Sequence, residues 1–217
     1  MVQRIAKHEL VHAQLALAVV IALQILVWKI DSELLIGTQY ILIITEIVLA
    51  MLISFSVSRG TPPKPGLNHA FVIVLLALIS AANISSLILV VHSLVVTHTD
   101  ISGPELLVAA IAIFITNIIV FALWYWEIDS PGLSRTRWSR NTQDFLFPQQ
   151  EKKQEFPDWH SEFLDYVYLS VTNAINFAPA DTKPLSHPAK LLMGSQALVS
   201  VFTLALVIAR SVSILGA

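Results

Sequence analysis

Apolar runs separated by short polar breaks make up most of this chain of 217 residues. Five runs are long enough to cross the hydrocarbon core of a bilayer, which takes roughly 20 helical residues. These runs cover residues 10–30, 35–57, 69–96, 105–128 and 189–215. The breaks have turn chemistry: prolines interrupt the stretch 59–66, and Pro104 stands where a helix tolerates proline, in its first turn. The pattern therefore predicts five transmembrane helices.

A shorter apolar run, residues 163–177, precedes the last span. Its 15 residues extend about 22 Å as a helix, which is short for a crossing. The run carries Asp165, Asn173 and Asn176, and the loop Ala178-Pro179-Ala180-Asp181 follows it. Unpaired backbone at membrane depth is tolerated only where protein or a water-filled cavity surrounds it. We therefore expect a short re-entrant or deeply buried helix whose loop lines such a space.

The composition is that of a membrane protein. Hydrophobic residues make up 55% of the chain and charged residues 13%, whereas soluble domains carry about 25% charged residues. The absence of cysteine excludes disulfides, thiol nucleophiles and cysteine–metal sites. A net charge of −2 argues against a nucleic-acid partner. The expected fold class is an all-α integral membrane protein surrounded by lipid, with no cofactor.

Residues 129–160 differ in composition from the segments on either side. They hold five lysines or arginines, five acidic residues and five aromatic residues. This balanced mixture is typical of an ordered surface linker that lies against the membrane or a neighbouring subunit. We therefore divide the chain into a four-helix transmembrane region (1–128), the linker (129–160) and a C-terminal part (161–217) with the short helix, its loop and the last span.

A polar side chain inside a span must face protein or a cavity, because lipid offers it no hydrogen bonds. Glu46 is the only acid well inside a long span. It is interpreted either as a proton or cation site or as a protonated residue bonded to a neighbouring helix. Asn83 and Asn117 are predicted to form hydrogen bonds between helices. His92, near a span end, is expected to be a packing residue, with pH sensing as the alternative.

Two histidines near the N-terminus match a metal-binding pattern. His8-Glu9-Leu10-Val11-His12 has the spacing of a metalloprotease helix, but no third ligand stands nearby. An amphipathic turn at the membrane surface is the preferred interpretation, and no metal site is predicted. Because the chain also lacks a recognisable nucleophile and a phosphate-binding loop, it is not expected to be an enzyme.

The last span has one face of small, polar or flexible side chains. Its members recur at steps of three and four residues, so they share one side of a helix. They are Met193, Gln196, Ser200, Thr203, Val207 and Arg210. This face either packs against other helices or lines a hydrated path. Gly194, followed by Ser195, offers a place for the helix to bend.

The run from Ser170 to Asp181 resembles the pore helix and selectivity filter of tetrameric potassium channels, which reads roughly S-V-T-T-x-T-T-V-G-Y-G-D. Four residues match in place without a gap: Ser170, Val171, Thr172 and Asp181. The sequence Ala205-Leu206-Val207-Ile208-Ala209-Arg210 resembles the end of the inner helix in those channels. The resemblance extends over residues 165–210. Uncharacterised bacterial multi-pass membrane proteins carry a similarly altered run, so a bacterial inner membrane is the expected location.

The departures from this pattern predict weak selectivity. Asn176 replaces the last threonine, and Phe177-Ala178-Pro179-Ala180 replaces V-G-Y-G. The filter glycines adopt backbone angles that cost alanine roughly 1 kcal/mol per site, and Pro179 fixes its own φ. A potassium-selective ladder of carbonyl groups is therefore not expected. A ring of Asp181 carboxylates, formed by copies of the chain around an axis, would still favour cations.

The resemblance implies a homo-oligomer, with a tetramer favoured, that forms a weakly selective pathway for monovalent cations or a pore-like scaffold that no longer conducts. The implied filter comprises Thr172, Asn173, Asn176, Phe177, Ala178, Pro179, Ala180 and Asp181, and the implied pore face of the inner helix comprises Met193, Gln196, Ser200, Thr203 and Val207, with Gly194 as hinge. The first four spans carry no arginine ladder, so no voltage sensor is expected. Two rival functions are a proton-coupled transporter that uses Glu46 and a membrane scaffold that binds a partner through the linker.

Positive charges place the loops differently from those of potassium channels. Lysines and arginines lie before residue 10, in the 59–66 break and in the linker, whereas the loops around Asp31 and Asp100 have none between the spans. This distribution puts the linker in the cytoplasm, but the equivalent segment of a potassium channel is outside. Three arrangements would resolve this conflict between the charge distribution and the resemblance: six crossings, a loop that enters from the cytoplasm as in glutamate receptors, or an exception to the charge rule.

Overall fold

The computed structural model describes residues 7–30, 38–58, 65–95, 102–130, 132–134, 143–176 and 181–215. In chain order these residues form α1 (Lys7–Ile30), α2 (Thr38–Ser58), α3 (Pro65–Val95), α4 (Gly103–Asp129), β1 (Phe145–Leu146), α5 (Pro148–Glu151), α6 (Phe163–Asn176), β2 (Lys183–Pro184) and α7 (His187–Leu215). The expected all-α class is confirmed, since the strands in this described part of the chain are two residues long each.

Four of the described helices are long and apolar enough to cross a membrane. Their candidate spans are His8–Ile30, His69–His92, Pro104–Asp129 and His187–Ala209. The remaining predicted span, 35–57, falls on α2, which provides a shorter apolar stretch, Ile43–Ile53. The described residues thus support a multi-pass membrane protein with four candidate spans, one fewer than the hydrophobic pattern predicts.

Helix α4 is the most enclosed of the long helices. It packs against α1, α3, α6 and α7. Apolar side chains occur on every side of its middle part, a pattern typical of a buried helix, and Leu123 and Trp126 are buried inside the bundle. At its start the Glu105 carboxylate accepts the backbone N–H of Ser102 at 2.8 Å, which satisfies a backbone group that the helix leaves free. Because α4 touches four helices, it positions most of the fold.

A tight turn follows the end of α4. Gly132 adopts φ +51°, a backbone conformation that L side chains rarely take. A Cβ atom at this position would collide with the Glu127 carboxylate and lie 2.7 Å from the Glu127 Cα. Just beyond, the backbone N–H of Ser134 donates to Oε2 of Glu127 at 3.2 Å. Glycine is therefore required for the turn to pack against the last turns of α4.

The described part of the linker folds back over the end of α4. Strands β1 and β2 pair antiparallel, with Phe145 opposite Pro184. Asp129, the last residue of α4, holds β1 in place, because its Oδ1 accepts the backbone N–H groups of Asp144 at 2.6 Å and of Phe145 at 3.1 Å. The Phe145 ring also packs against Tyr125 with 5.2 Å between ring centroids. The two strands therefore sit at one end of the helix bundle.

Helix α6 inserts between α4 and α7 from this same end. Its first turn lies beside the end of α4, where the rings of Phe163 and Trp126 are 5.2 Å apart. Further along α6, Oγ of Ser170 donates to the carbonyl oxygen of Ile118 at 2.6 Å, so α6 runs antiparallel to α4 and reaches about 12 Å deeper along it. Strand β2 then returns to β1. Both strands, one before α6 in the chain and one after it, therefore lie at the same end of the bundle.

Candidate functional site

Polar side chains from three helices meet in the interior where α6 lies between α4 and α7. Tyr125 comes from α4, Ser170 and Asn173 come from α6, and Gln196 comes from α7. All four residues are buried, and Ser170 and Gln196 have no exposed surface. We call these four residues the buried polar cluster.

Gln196 is the centre of the buried polar cluster. Its Oε1 accepts hydrogen bonds from the Tyr125 hydroxyl at 2.5 Å and from Nδ2 of Asn173 at 2.8 Å. Its Nε2 donates to Ser170 twice, to Oγ at 2.6 Å and to the carbonyl oxygen at 3.0 Å. Both polar atoms of this side-chain amide therefore have partners on other helices.

The remaining bonds of the cluster attach α6 to both of its neighbours. Oγ of Ser170 donates to the backbone of α4 at Ile118, and Nδ2 of Asn173 donates to the carbonyl oxygen of Met193 on α7 at 3.0 Å. A fully satisfied buried network favours a single arrangement of the elements that it joins. Together these bonds fix the depth and the rotation of α6 relative to the two long helices.

The polar face of α7 packs inward. Its buried residues are Met193, Gln196, Ser200 and Thr203, with Val207 half-buried, whereas the Arg210 side chain lies outside those described. Nδ2 of Asn117, on α4, donates to Oγ of Ser200 at 2.9 Å. Of the two arrangements that the sequence allows for this face, helix packing is the one seen in the described chain. Gly194, the predicted hinge, stands in continuous helix with nothing within 4 Å of a Cβ placed on it.

The opposite side of α6 is uncovered. Tyr168 and Ile175 are exposed there, together with Asn176 at the C-terminal end of the helix. Thr172 is half-buried, and its Oγ1 donates to the carbonyl oxygen of Tyr168 in the preceding turn at 3.0 Å. Asp181 is exposed where the described chain resumes. This side of α6 combines polar groups with large apolar ones.

The predicted filter residues are divided between the two sides of α6. Asn173 belongs to the buried polar cluster, whereas Thr172 and Asn176 lie on the uncovered side and Asp181 is exposed beyond the end of the helix. Residues 177–180 of the predicted filter lie outside the described residues. Asn173 therefore has a positioning role inside the chain that the filter resemblance does not suggest.

Sequence reasoning missed Tyr125, which supplies the hydroxyl group of the cluster. The residue stands among aromatic side chains near the end of the fourth apolar run, where it looks like an interfacial anchor. One signal was present: Asn117 and Tyr125 are eight residues apart and so share a face of α4. That face meets the polar face of α7, which the sequence analysis did identify.

No model of a known protein family matches the chain, and neither does any curated protein or solved structure. The site is therefore characterised by its geometry: a short helix held between two long ones by buried hydrogen bonds, with polar groups on its uncovered side.

A second set of bonds holds the first turns of α6. The Tyr166 hydroxyl donates to Oδ2 of Asp129 at 2.6 Å and lies 2.8 Å from Oγ of Ser161. Burial raises the pKa of the Tyr166 hydroxyl well above its usual range, and the neighbouring Asp129 carboxylate raises it further. The hydroxyl therefore keeps its proton and remains a donor. In this way the carboxylate of Asp129 joins the end of α4 to β1 and to α6.

Another buried acid, Glu127, connects α4 with the start of α3. Its Oε1 lies 3.2 Å from Nδ1 of His69, and its side chain has no exposed surface. The sequence analysis missed this residue because it stands at the edge of a span, where an acid can reach water. Here the turn around Gly132 covers it instead.

The other polar residues singled out from the sequence have separate locations. Glu46 has no exposed surface, and in the described part of the chain neither of its carboxyl oxygens has a hydrogen-bond partner. Asn83 is buried on α3, and His92 is exposed near the end of that helix. Nε2 of His8 lies 3.9 Å from the carboxylate of Glu162. Within the described residues, no three side chains of the types that bind metals come together.

Proposed function

We propose that the protein is a homo-oligomeric channel of weak selectivity for monovalent cations, in which α6 is a re-entrant pore helix and α7 is the inner helix. The observation that carries this proposal is the buried polar cluster, which holds a helix of 14 residues between two long helices and leaves its polar C-terminal end uncovered. The last carbonyl groups of a helix need partners, and lipid provides none. Copies of the chain around an axis, or water between them, would provide those partners.

The uncovered side of α6 favours a cation pathway over contact with lipid. Thr172, Asn176 and Asp181 lie on or just after this side, and polar or charged groups in hydrocarbon are costly. The C-terminus of a helix carries a partial negative charge of about 0.5. Several such termini around an axis, together with the Asp181 carboxylates, would form a region of negative potential that attracts cations.

The proposed pore lining differs from the face that the sequence pattern suggests. Because the polar face of α7 is buried, the exposed face is the one available to line a path. Ser195, Leu198 and Phe202 lie on that face, next to Gly194. A lining with large apolar side chains fits a hydrophobic constriction, which closes a pore by excluding water.

Ion flux through the full-length protein in liposomes tests the proposal. Purified protein is reconstituted with a salt gradient, and the reversal potential gives the preference for cations over anions. We expect cation-selective currents that carry both K⁺ and Na⁺, and a loss of cation preference in Asp181→Asn because the ring of charge is removed.

Glu155→Gln is the matched control, because Glu155 is an exposed acid of the linker and lies 26 residues before Asp181 in the chain. Its currents should equal those of the unmodified protein. An oligomeric, folded protein that carries no current would contradict the proposal, and so would an Asp181→Asn variant whose reversal potential equals that of the control.

A further inference from the structure

Helix α2 carries a carboxyl group that the proposed pathway does not use. Glu46 lies within the apolar stretch Ile43–Ile53, on a helix that packs against α1 and α3. None of its surface is exposed, and neither carboxyl oxygen has a hydrogen-bond partner among the residues that the structure describes. Buried polar groups in native proteins nearly always have such a partner, so this group requires an explanation.

The charged groups on the described parts of the neighbouring helices do not explain it. The titratable residues on the described parts of the two helices that α2 contacts are Lys7, His8, Glu9, His12 and Lys29 on α1 and His69 and His92 on α3. All of them lie within about two turns of a helix end, whereas Glu46 lies inside the apolar stretch of α2. Removing an ionised carboxylate from water without a partner costs several kcal/mol. The carboxyl group is therefore neutral in this packing and carries a proton.

A second polar group with an unsatisfied atom lies where α1 meets α3. Gln24, on α1, is buried, and its Nε2 donates to the carbonyl oxygen of Ile79 on α3 at a long 3.4 Å. Its Oε1 has no partner. A protonated carboxyl has a hydrogen to donate, and Oε1 of Gln24 is an acceptor without one. The α1–α2–α3 unit thus has spare hydrogen-bonding capacity that an alternative packing, or an entering water molecule, would use.

We propose that Glu46 is a proton-binding site whose occupancy is coupled to the packing of α2. In the packed state the proton stays on the carboxyl oxygen. When α2 separates from α1 and α3 enough to admit water, the O–H bond breaks, the proton passes to water and the carboxylate remains hydrated. This site lies outside the α4–α6–α7 region, so the proposed proton site does not depend on whether the protein conducts cations.

Chemical modification by a hydrophobic carbodiimide tests the site. Dicyclohexylcarbodiimide reacts with protonated carboxyl groups in apolar surroundings: the carboxyl oxygen bonds to the central carbon, the proton goes to a nitrogen, and acyl migration gives a stable N-acylurea with no leaving group. In proteoliposomes of the full chain, peptide mass spectrometry should find the adduct on Glu46 and not on the exposed Glu155. Labelling should fall roughly tenfold for each pH unit once the carboxyl ionises, and Glu46→Gln should abolish it.

Infrared spectroscopy keeps the proposal testable if the reagent does not reach the site. The C=O stretch of protonated carboxylic acids at neutral pH should lose one component in Glu46→Gln, whereas Glu155→Gln should retain the full band. In D₂O this band should shift slowly, because exchange waits for α2 to separate. An acid band that is unchanged in Glu46→Gln would overturn the proposal, as would Glu46 labelling that does not depend on pH.

Discussion

Replacing Gln196 by methionine removes the centre of the buried polar cluster while preserving the length and flexibility of the side chain. The substitution deletes the bonds of Gln196 to the Tyr125 hydroxyl, to Nδ2 of Asn173, and to both oxygens of Ser170. Asn173 keeps its bond to the Met193 carbonyl oxygen, but the Tyr125 hydroxyl loses its acceptor in a place that water does not reach. We expect α6 to lose its fixed depth between α4 and α7.

The structure indicates the size of the effect. Four interhelical bonds are lost, and such bonds contribute about 0.6 kcal/mol each on average in a membrane. A buried donor left without an acceptor adds a penalty of about 1–3 kcal/mol. The free energy of unfolding should therefore fall by about 3–5 kcal/mol. Gln196→Met combined with Asn173→Leu should cost less than the two single changes together because they share a bond.

Reversible unfolding in mixed detergent micelles, followed by circular dichroism, measures this loss. Ser195→Ala is the matched control, because Ser195 is the exposed neighbour of Gln196 on the same helix and should change the free energy by less than about 0.5 kcal/mol. If Gln196→Met unfolds at the same detergent composition as Ser195→Ala, or if the double variant shows strict additivity, the cluster does not hold α6.

Two further substitutions test the C-terminal end of α4. Tyr166→Phe should lower the free energy of unfolding by about 1.5–3 kcal/mol, because the lost bond has a charged acceptor. Tyr168→Phe, at an exposed position, should leave it unchanged. Equal unfolding midpoints for the two variants would contradict the role of Asp129. Gly132→Ala should destabilise by at least about 1–3 kcal/mol through its positive φ and the collision with Glu127. In contrast, the added methyl group of Gly194→Ala meets no described neighbouring atom, so this change should stabilise α7 by roughly 0.5–1 kcal/mol. If Gly194→Ala lost as much thermal stability as Gly132→Ala, the turn after α4 would have no special requirement for glycine.

The elements predicted correctly from the sequence are those that local properties determine. The length and apolar character of α1, α3, α4 and α7 are enough to mark them as candidate spans. The shortness of α6 likewise follows from its polar residues and from the loop after it. For α2, hydropathy predicts a full crossing, whereas the structure provides only the shorter stretch Ile43–Ile53.

The features that could not be predicted from the sequence depend on which helix faces pack against each other. The pattern of α7 shows that Gln196 and Ser200 share a face, but not that this face turns toward α4 instead of a water-filled path. Tyr125 completes the cluster only because α4 and α7 run antiparallel in one particular register. Strands β1 and β2 are two residues each, too short to leave a local signal, and they exist because Asp129 holds one of them at the end of α4.

Whether copies of α6 surround a common axis can be measured by cross-linking in the membrane. The chain has no cysteine, so single-cysteine variants report one position each with a short bifunctional thiol reagent. Asp181→Cys should give covalent dimers in high yield, whereas Met51→Cys, on the exposed face of α2, should give few. A predominantly monomeric product from Asp181→Cys, or a dimer yield from Met51→Cys that equals it, would contradict a pore built around α6.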